Sequence, residues 1–203
     1  MRIAHVGGTG KIGAKIVEEL VRRGHSVAVI SRRPPTGTTS ELVRAVPGDI
    51  LSPEALAAAL TGYDAVISSA PFIPGSSAGL LEAVRKSGVK RYIVVGGAGT
   101  LEVAPGKLLK DTGAIPVEWM PAVNEAAKLL ELLRAENALE WTFFSPAALI
   151  GPGERTGKFR LGTDQLIADA QGKSSISYDD YAIALVDELE RPRHIRGRFT
   201  IGY

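Results

Sequence analysis

Cysteine is absent from this chain of 203 residues. That absence excludes disulfides, thiol nucleophiles and thiolate-held metals. Histidine is scarce: His5, His25 and His194 lie far apart, and none has the spacing of a metal ligand set. No metal is therefore expected. An excess of one charge is also missing, with 24 basic against 22 acidic residues and a formal charge of +2, so nothing suggests a nucleic-acid binder. No apolar run reaches the roughly 18 residues of a membrane span, and no membrane partner is expected. Nor is a signal peptide visible, because Met1-Arg2 leads straight into a strand pattern; the expected location is cytoplasmic. Repeats, low-complexity tracts and dividing linkers are absent as well. The chain reads as one domain over residues 1–203.

What is present is an ordinary soluble composition, 45% hydrophobic and 23% charged. Strand and helix patterns alternate along it. Strands are expected at Arg2–Val6, Val27–Ile30, Val43–Val46, Ala65–Ser68, Tyr92–Val95, Trp141–Phe144 and Phe199–Ile201. Helices are expected over about Lys11–Arg23, stopped by Gly24, then from Pro53 to Leu60 behind Ser52, Gly79–Lys86, Ala122–Glu136, and from Ser177 to Glu190. A short helix over Asp164–Ala170 is a weaker expectation. Arg32–Ser40 reads as a loop. The segments at about 97–121 and 148–173 have little periodicity and are expected to be long functional loops. Uninterrupted apolar strands such as Ala65–Ser68 suit burial on both faces. The fold class expected is α/β: a single doubly wound parallel sheet with helices on both faces, its ligand crevice at the carboxyl ends of the first and fourth strands.

The densest signal lies at the first strand-to-helix junction, Gly7-Gly8-Thr9-Gly10-Lys11-Ile12-Gly13. Glycines there let the backbone turn tightly and approach phosphates without a Cβ in the way. The helix that follows points unpaired N–H groups and its positive end at an anion. A Walker-type loop is excluded, because Ile12 follows Gly10-Lys11 where Ser or Thr is required. The turn is therefore expected to seat a dinucleotide pyrophosphate. An NAD site usually places an acid about 20 residues further on. Here the second strand ends in Ser31-Arg32-Arg33. Arginines attract and grip a 2′-phosphate, so NADPH is preferred over NADH. Asp49 and Ile50 after the third strand are expected near adenine, and Ser69, Ala70 and Pro71 at the crevice beside the ribose. Gly96, Gly97 and Ala98 end the fifth strand. Ser145, Pro146 and Ala147 end the sixth and are placed to wall the nicotinamide.

At this point a resemblance emerges. The glycine turn, Gly48-Asp49, Val94-Val95-Gly96-Gly97-Ala98-Gly99 and Trp141–Ala147 look like the atypical short-chain dehydrogenase/reductase pattern on a Rossmann fold. Three further stretches, Leu101–Gly106, Gly153–Gly162 and Ile176–Ala182, resemble the bacterial proteins named NADH-flavin reductases, relatives of biliverdin reductase B and of NmrA-like proteins. The resemblance covers essentially the whole chain. Active short-chain dehydrogenases place Tyr and Lys four apart on the helix after the fifth strand, the Lys lowering the Tyr pKa for proton exchange. Here Lys128 matches the Lys, but Asn124 stands at the Tyr position and cannot do that work. Lys128 can still hold the nicotinamide ribose. A flavin such as FMN or FAD, or a similar planar acceptor, tolerates the loss, since the protein then mainly binds and orients. Thr100 and Lys128 are the catalytic candidates. Trp119, Phe159 and Arg160 are the substrate candidates, with Arg155 and Lys158 able to meet an anionic group. An NADP-binding redox sensor without turnover, or an epimerase- or dehydratase-like isomerase, are the competing readings. The partner expected is a small molecule, the protein a monomer or homodimer.

Overall fold

The computed structural model describes residues 1–34 and 40–203. Pro35–Thr39, most of the expected Arg32–Ser40 loop, lie outside the described residues. The chain runs β1 (Arg2–Val6), α1 (Lys11–Arg22), β2 (Ser26–Ser31), β3 (Val43–Pro47), α2 (Pro53–Leu60), β4 (Ala65–Ser68), α3 (Ser77–Lys86), β5 (Arg91–Val95), β6 (Glu102–Ala104), β7 (Lys107–Leu108), α4 (Met120–Arg134), β8 (Glu140–Ser145), β9 (Leu149–Gly151), β10 (Arg160–Gly162), β11 (Ser175–Ser177), α5 (Tyr178–Glu190) and β12 (Gly197–Gly202). Strand order in the main sheet is β10-β12-β8-β5-β4-β1-β2-β3. All its pairings are parallel except that of β10 with β12. The order reverses between β1 and β4, so the crevice opens at their carboxyl ends.

Alternation along each strand feeds two cores. Ala4, Val66, Val94 and Phe143 meet Leu56, Leu60, Leu80, Val84, Leu129 and Leu133 of α2, α3 and α4 on one face. Ile3, Ile67, Ile93 and Phe144 meet Ile16, Leu20, Tyr181, Leu185 and Leu189 of α1 and α5 on the other. Burial on both faces is why these strands carry near-continuous apolar runs. An ion pair is buried as well: Arg91, at the start of β5, reaches Glu188 at 3.2 Å and Thr142 at 2.7 Å.

The structure departs from the sequence expectations in the two long segments. No helix forms over Asp164–Ala170. That stretch is extended because Glu102 N donates to Asp164 O at 2.8 Å and Leu166 N to Glu102 O at 2.8 Å, a long-range pairing that local propensity does not encode. The segment 97–121 holds the β6–β7 hairpin and two 3-10 turns, and α4 begins at Met120 with Pro121 tolerated in its first turn. The segment 148–173 starts with β9, which pairs in parallel with β11, and carries β10.

Candidate functional site

The site begins where β1 hands over to α1. Gly7 has φ +85°, and a Cβ there would stand 2.7 Å from Ala70 N. At Gly13 a Cβ would stand 2.3 Å from Gly7 O and 2.8 Å from Ser69 Oγ. Both positions therefore demand glycine. Gly10 differs, because its Cβ would meet nothing nearer than Gly7 O at 3.5 Å, which leaves open space on that side of the turn. Gly10 caps α1 without a side-chain bond, and the first turn holds no acid. Ala14 N is the first to find an intrahelical acceptor, Gly10 O at 2.8 Å. The earlier N–H groups and the positive helix end are thus presented to the crevice.

The turn is braced from below. Ser69 Oγ donates to Gly7 O at 3.0 Å. Its lone pair therefore accepts from His5 Nε2, 2.9 Å away. His5 is fully buried, and burial pushes its pKa down to about 3, so it is neutral and carries its proton on Nε2. This chain ties the ends of β1 and β4 to the carbonyl of the first glycine.

Above the turn lies a cleft of about 250 Å³. Ten of the expected cofactor residues line it: Gly7, Thr9, Gly10, Ser31, Arg32, Asp49, Ile50, Ser69, Ala70 and Pro71. Val6, Ile30, Gly48 and Ile73 line it too and were not anticipated. Val6 and Ile30 end parallel strands, a signal that could have found them. Gly48 admits no side chain, since its Cβ would lie 2.4 Å from Ile30 Cγ2. Asp49 Oδ1 accepts from Leu51 N at 3.0 Å, so this carboxylate shapes the turn as well as facing the cleft. Ser31 Oγ is buried with no partner among the described residues, which suits a hydroxyl or phosphate oxygen. Arg32 and Arg33 are exposed, with Arg32 on the lining. Lys11 is exposed on the first turn of α1, while Ile12 packs against the α1–α5 core. The glycine cradle, the free helix end and the orphaned hydroxyl together fit a dinucleotide.

At the other end of the crevice, Gly96 is fixed by packing: a Cβ would lie 2.2 Å from Phe143 Cε1. Gly97 and Ala98 follow, half-buried. Ser145, Pro146 and Ala147 are buried, and Ser145 Oγ has no partner among the described residues. Lys128 is exposed on α4 and lends charge to Glu125. Burial lifts the Glu125 pKa, but bonds from Ser77 and Gly75 together with Lys128 outweigh it, and the carboxylate stays below its ordinary range. Glu125 takes Gly75 N and Ser77 N at 2.8 Å each, fastening α4 to the start of α3.

A second cavity, about 780 Å³, is lined from Ala148 onward, directly after Ser145–Ala147 in the chain. Trp119, 62% exposed, forms one wall. Ala148–Glu154 and Thr156 form another, and Lys173, Ser175–Ser177 and Tyr203 complete it. Its lining is mainly apolar. Leu149, Ile150, Ile176 and Tyr203 escaped sequence reasoning, because only the β9–β11 pairing and the bond from Tyr203 N to Ser175 O at 3.1 Å bring them together.

The remaining candidates are not on this lining. Phe159 packs, partly buried, against the α1–α5 core near Leu161, Ala184 and Phe199, away from this lining. Arg160 donates to Ala168 O at 2.7 Å and also to Tyr203 O, and so braces the end of the last strand. Thr100 Oγ1 accepts from Arg198 at 2.9 Å, and Arg198 is in turn paired with Asp164. That hydroxyl is held in a cluster apart from both cavities. Arg155 is committed to buried Glu19 at 3.3 Å. Among the described residues no group of acids and histidines could hold a metal ion. Among the described residues no helix is long and apolar enough to cross a membrane.

Strand order, glycine turn and cleft define a Rossmann-fold protein that seats a dinucleotide. The profile of a family described as NAD(P)H-binding matches residues 7–192. The chain belongs to this family. Among solved structures it is similar to a Burkholderia pseudomallei protein provisionally named as exported, with 46% identity, TM-score 0.90 and both chains covered completely. A Bacteroides thetaiotaomicron protein provisionally named an epimerase shares 39% identity at TM-score 0.95, over 100% of this chain and 96% of that one. A Streptococcus pneumoniae protein provisionally named an NADH-flavin reductase shares 37% identity at TM-score 0.85, over 100% and 99%.

Proposed function

We propose that the protein is an NADPH-dependent reductase of a flavin or a similar planar conjugated acceptor, acting in the cytoplasm. The observation that carries this reading is the mainly apolar cavity walled by Trp119 and by the segment that directly follows Ser145–Ala147. Bound in the cleft, the dinucleotide supplies a hydride from its nicotinamide ring. Gly7–Gly13 seats the pyrophosphate, and Ser31 with Arg32 and Arg33 grips the 2′-phosphate. Lys128 holds the ribose. Ser145–Ala147 backs the ring, and Trp119 offers an indole face to the acceptor. Asn124 leaves the protein without a proton donor of tuned pKa, a loss that bears more on alcohol or sugar chemistry than on a ring that takes its proton from solvent.

Steady-state NADPH oxidation with FMN, riboflavin and a quinone tests the reading. Saturable turnover with at least one planar acceptor is expected. Tight NADPH binding with no turnover across the set would instead favour the sensor, and conversion of a sugar without net NADPH loss would favour the epimerase named among its relatives.

A further inference from the structure

Asp180 lies in the first turn of α5, is completely buried, and has no basic partner within ion-pair reach among the described residues. Its carboxylate is instead saturated by neutral donors from separate segments. Thr156 Oγ1 donates at 2.6 Å, Gly157 N at 2.8 Å and the Tyr203 hydroxyl at 2.8 Å. Burying a carboxylate is costly unless it is well hydrogen-bonded, so the site is built around this acceptor. The N-terminal end of α5 favours the charge further. Ser177 adds a second tie, accepting from Asp180 N at 3.0 Å and donating to Glu154 O at 2.9 Å. The loop lies flat on α5, since a Cβ on Gly153 would stand 3.0 Å from Ser177 Cβ. Glu154, Thr156, Ser177 and Tyr203 all line the large cavity, whereas Asp180 does not.

We propose that Asp180 is the positioning residue of the acceptor cavity. It holds the β9–β10 loop and the end of β12 against α5, and so sets the wall on which the acceptor rests. The inference rests on reading this cavity as the acceptor site. Asp180 touches neither cofactor nor acceptor, and the cofactor cleft shares no lining residue with the clamp. Its removal therefore acts on one ligand and spares the other.

The test uses Asp180→Asn, which keeps the volume but replaces a pure acceptor by an amide, and Thr156→Val, which removes one donor from an exposed loop. With riboflavin as acceptor, D180N should raise its KM about tenfold, with kcat within about threefold and the NADPH Kd within about twofold of the parent. T156V should raise the KM about threefold, and the double variant should be no worse than D180N alone. Trypsin cleavage after Arg155 and Lys158, which needs no turnover, should accelerate several-fold in D180N. Unchanged riboflavin KM and unchanged cleavage overturn the proposal; so does an NADPH Kd that rises in step with the KM. If D180N does not fold, a T156V variant indistinguishable from the parent in both readouts overturns it. If the parent turns over no acceptor yet D180N is cleaved faster, the clamp stands and the reductase reading falls.

Discussion

The cleft above the glycine turn takes its walls from the ends of strands that are neighbours in the sheet, while the larger cavity takes its walls from four segments that meet only through tertiary contacts. The first is bounded by β1, β2, β3 and β4 and the turns that leave them. Its tolerances are steric and tight, as the 2.3 Å approach of a Cβ at Gly13 to Gly7 O shows. The second depends on Trp119 before α4, the loop after β8, β11 and Tyr203, joined by hydrogen bonds between loops. Under the proposed function the sterically tight region holds the cofactor and the loop-built region meets the acceptor. Loops on a rigid scaffold are where specificity changes without loss of the fold.

Each prediction presses on that contrast. Gly13→Ala should have the largest effect, weakening NADPH by roughly a hundredfold in calorimetry, because the clash falls on backbone and cannot be relieved by a rotamer. A loss of less than threefold would mean that the cleft is as adaptable as the cavity. The double change Arg32→Ala with Arg33→Ala should weaken NADPH about thirtyfold and NADH less than about threefold. Equal losses for both nucleotides would remove the guanidinium grip from the 2′-phosphate. Trp119→Ala should raise the KM for a flavin about tenfold and leave the NADPH Kd unchanged, since an exposed indole contributes to one cavity alone. Any matching loss of NADPH would show that the two regions are not separable.

Acid should separate them by a smaller margin. The His5 pKa is pushed by burial from 6.5 to about 3. A base depressed on folding contributes stability that is complete above pH 6.5 and is lost as pH falls toward 3. For Asp180, burial raises the pKa but bonds from Thr156, Gly157 and Tyr203 outweigh it, holding it below the ordinary 3.8. The clamp's contribution is therefore complete above pH 3.8 and lost only as pH falls further. Between about pH 6.5 and about 4.5 the turn should weaken while the clamp does not, lowering the thermal midpoint by on the order of 5 °C. His5→Asn should flatten that slope; an unchanged slope would place the acid sensitivity elsewhere.

Much of the first region was legible in the residues. Ten lining residues could be named because each lies within a few positions of a strand end, where contiguous sequence and the rule for open parallel sheets locate the crevice. The second region was legible only in part. Trp119 was recognisable as a large aromatic in a long loop, but Phe159 and Arg160 come from the same kind of segment and lie against the core and the last strand, off the large cavity. Thr100 followed the glycines of β5 as a hydroxyl in the right place along the chain, yet Arg198, 98 residues away, takes it. Asp180 looked like part of a helix start, and only its partners 23 and 24 residues off reveal the clamp.

The residues by themselves determined the sheet, the two apolar cores and the turn for a diphosphate, because strand–turn–helix geometry and the steric demand for glycine are local and repeat with a fixed period. Only the folded chain decided which loop side chains face a ligand. That outcome depends on long-range pairings, such as β9 with β11 and Glu102 with Asp164 and Leu166, whose register no local pattern carries.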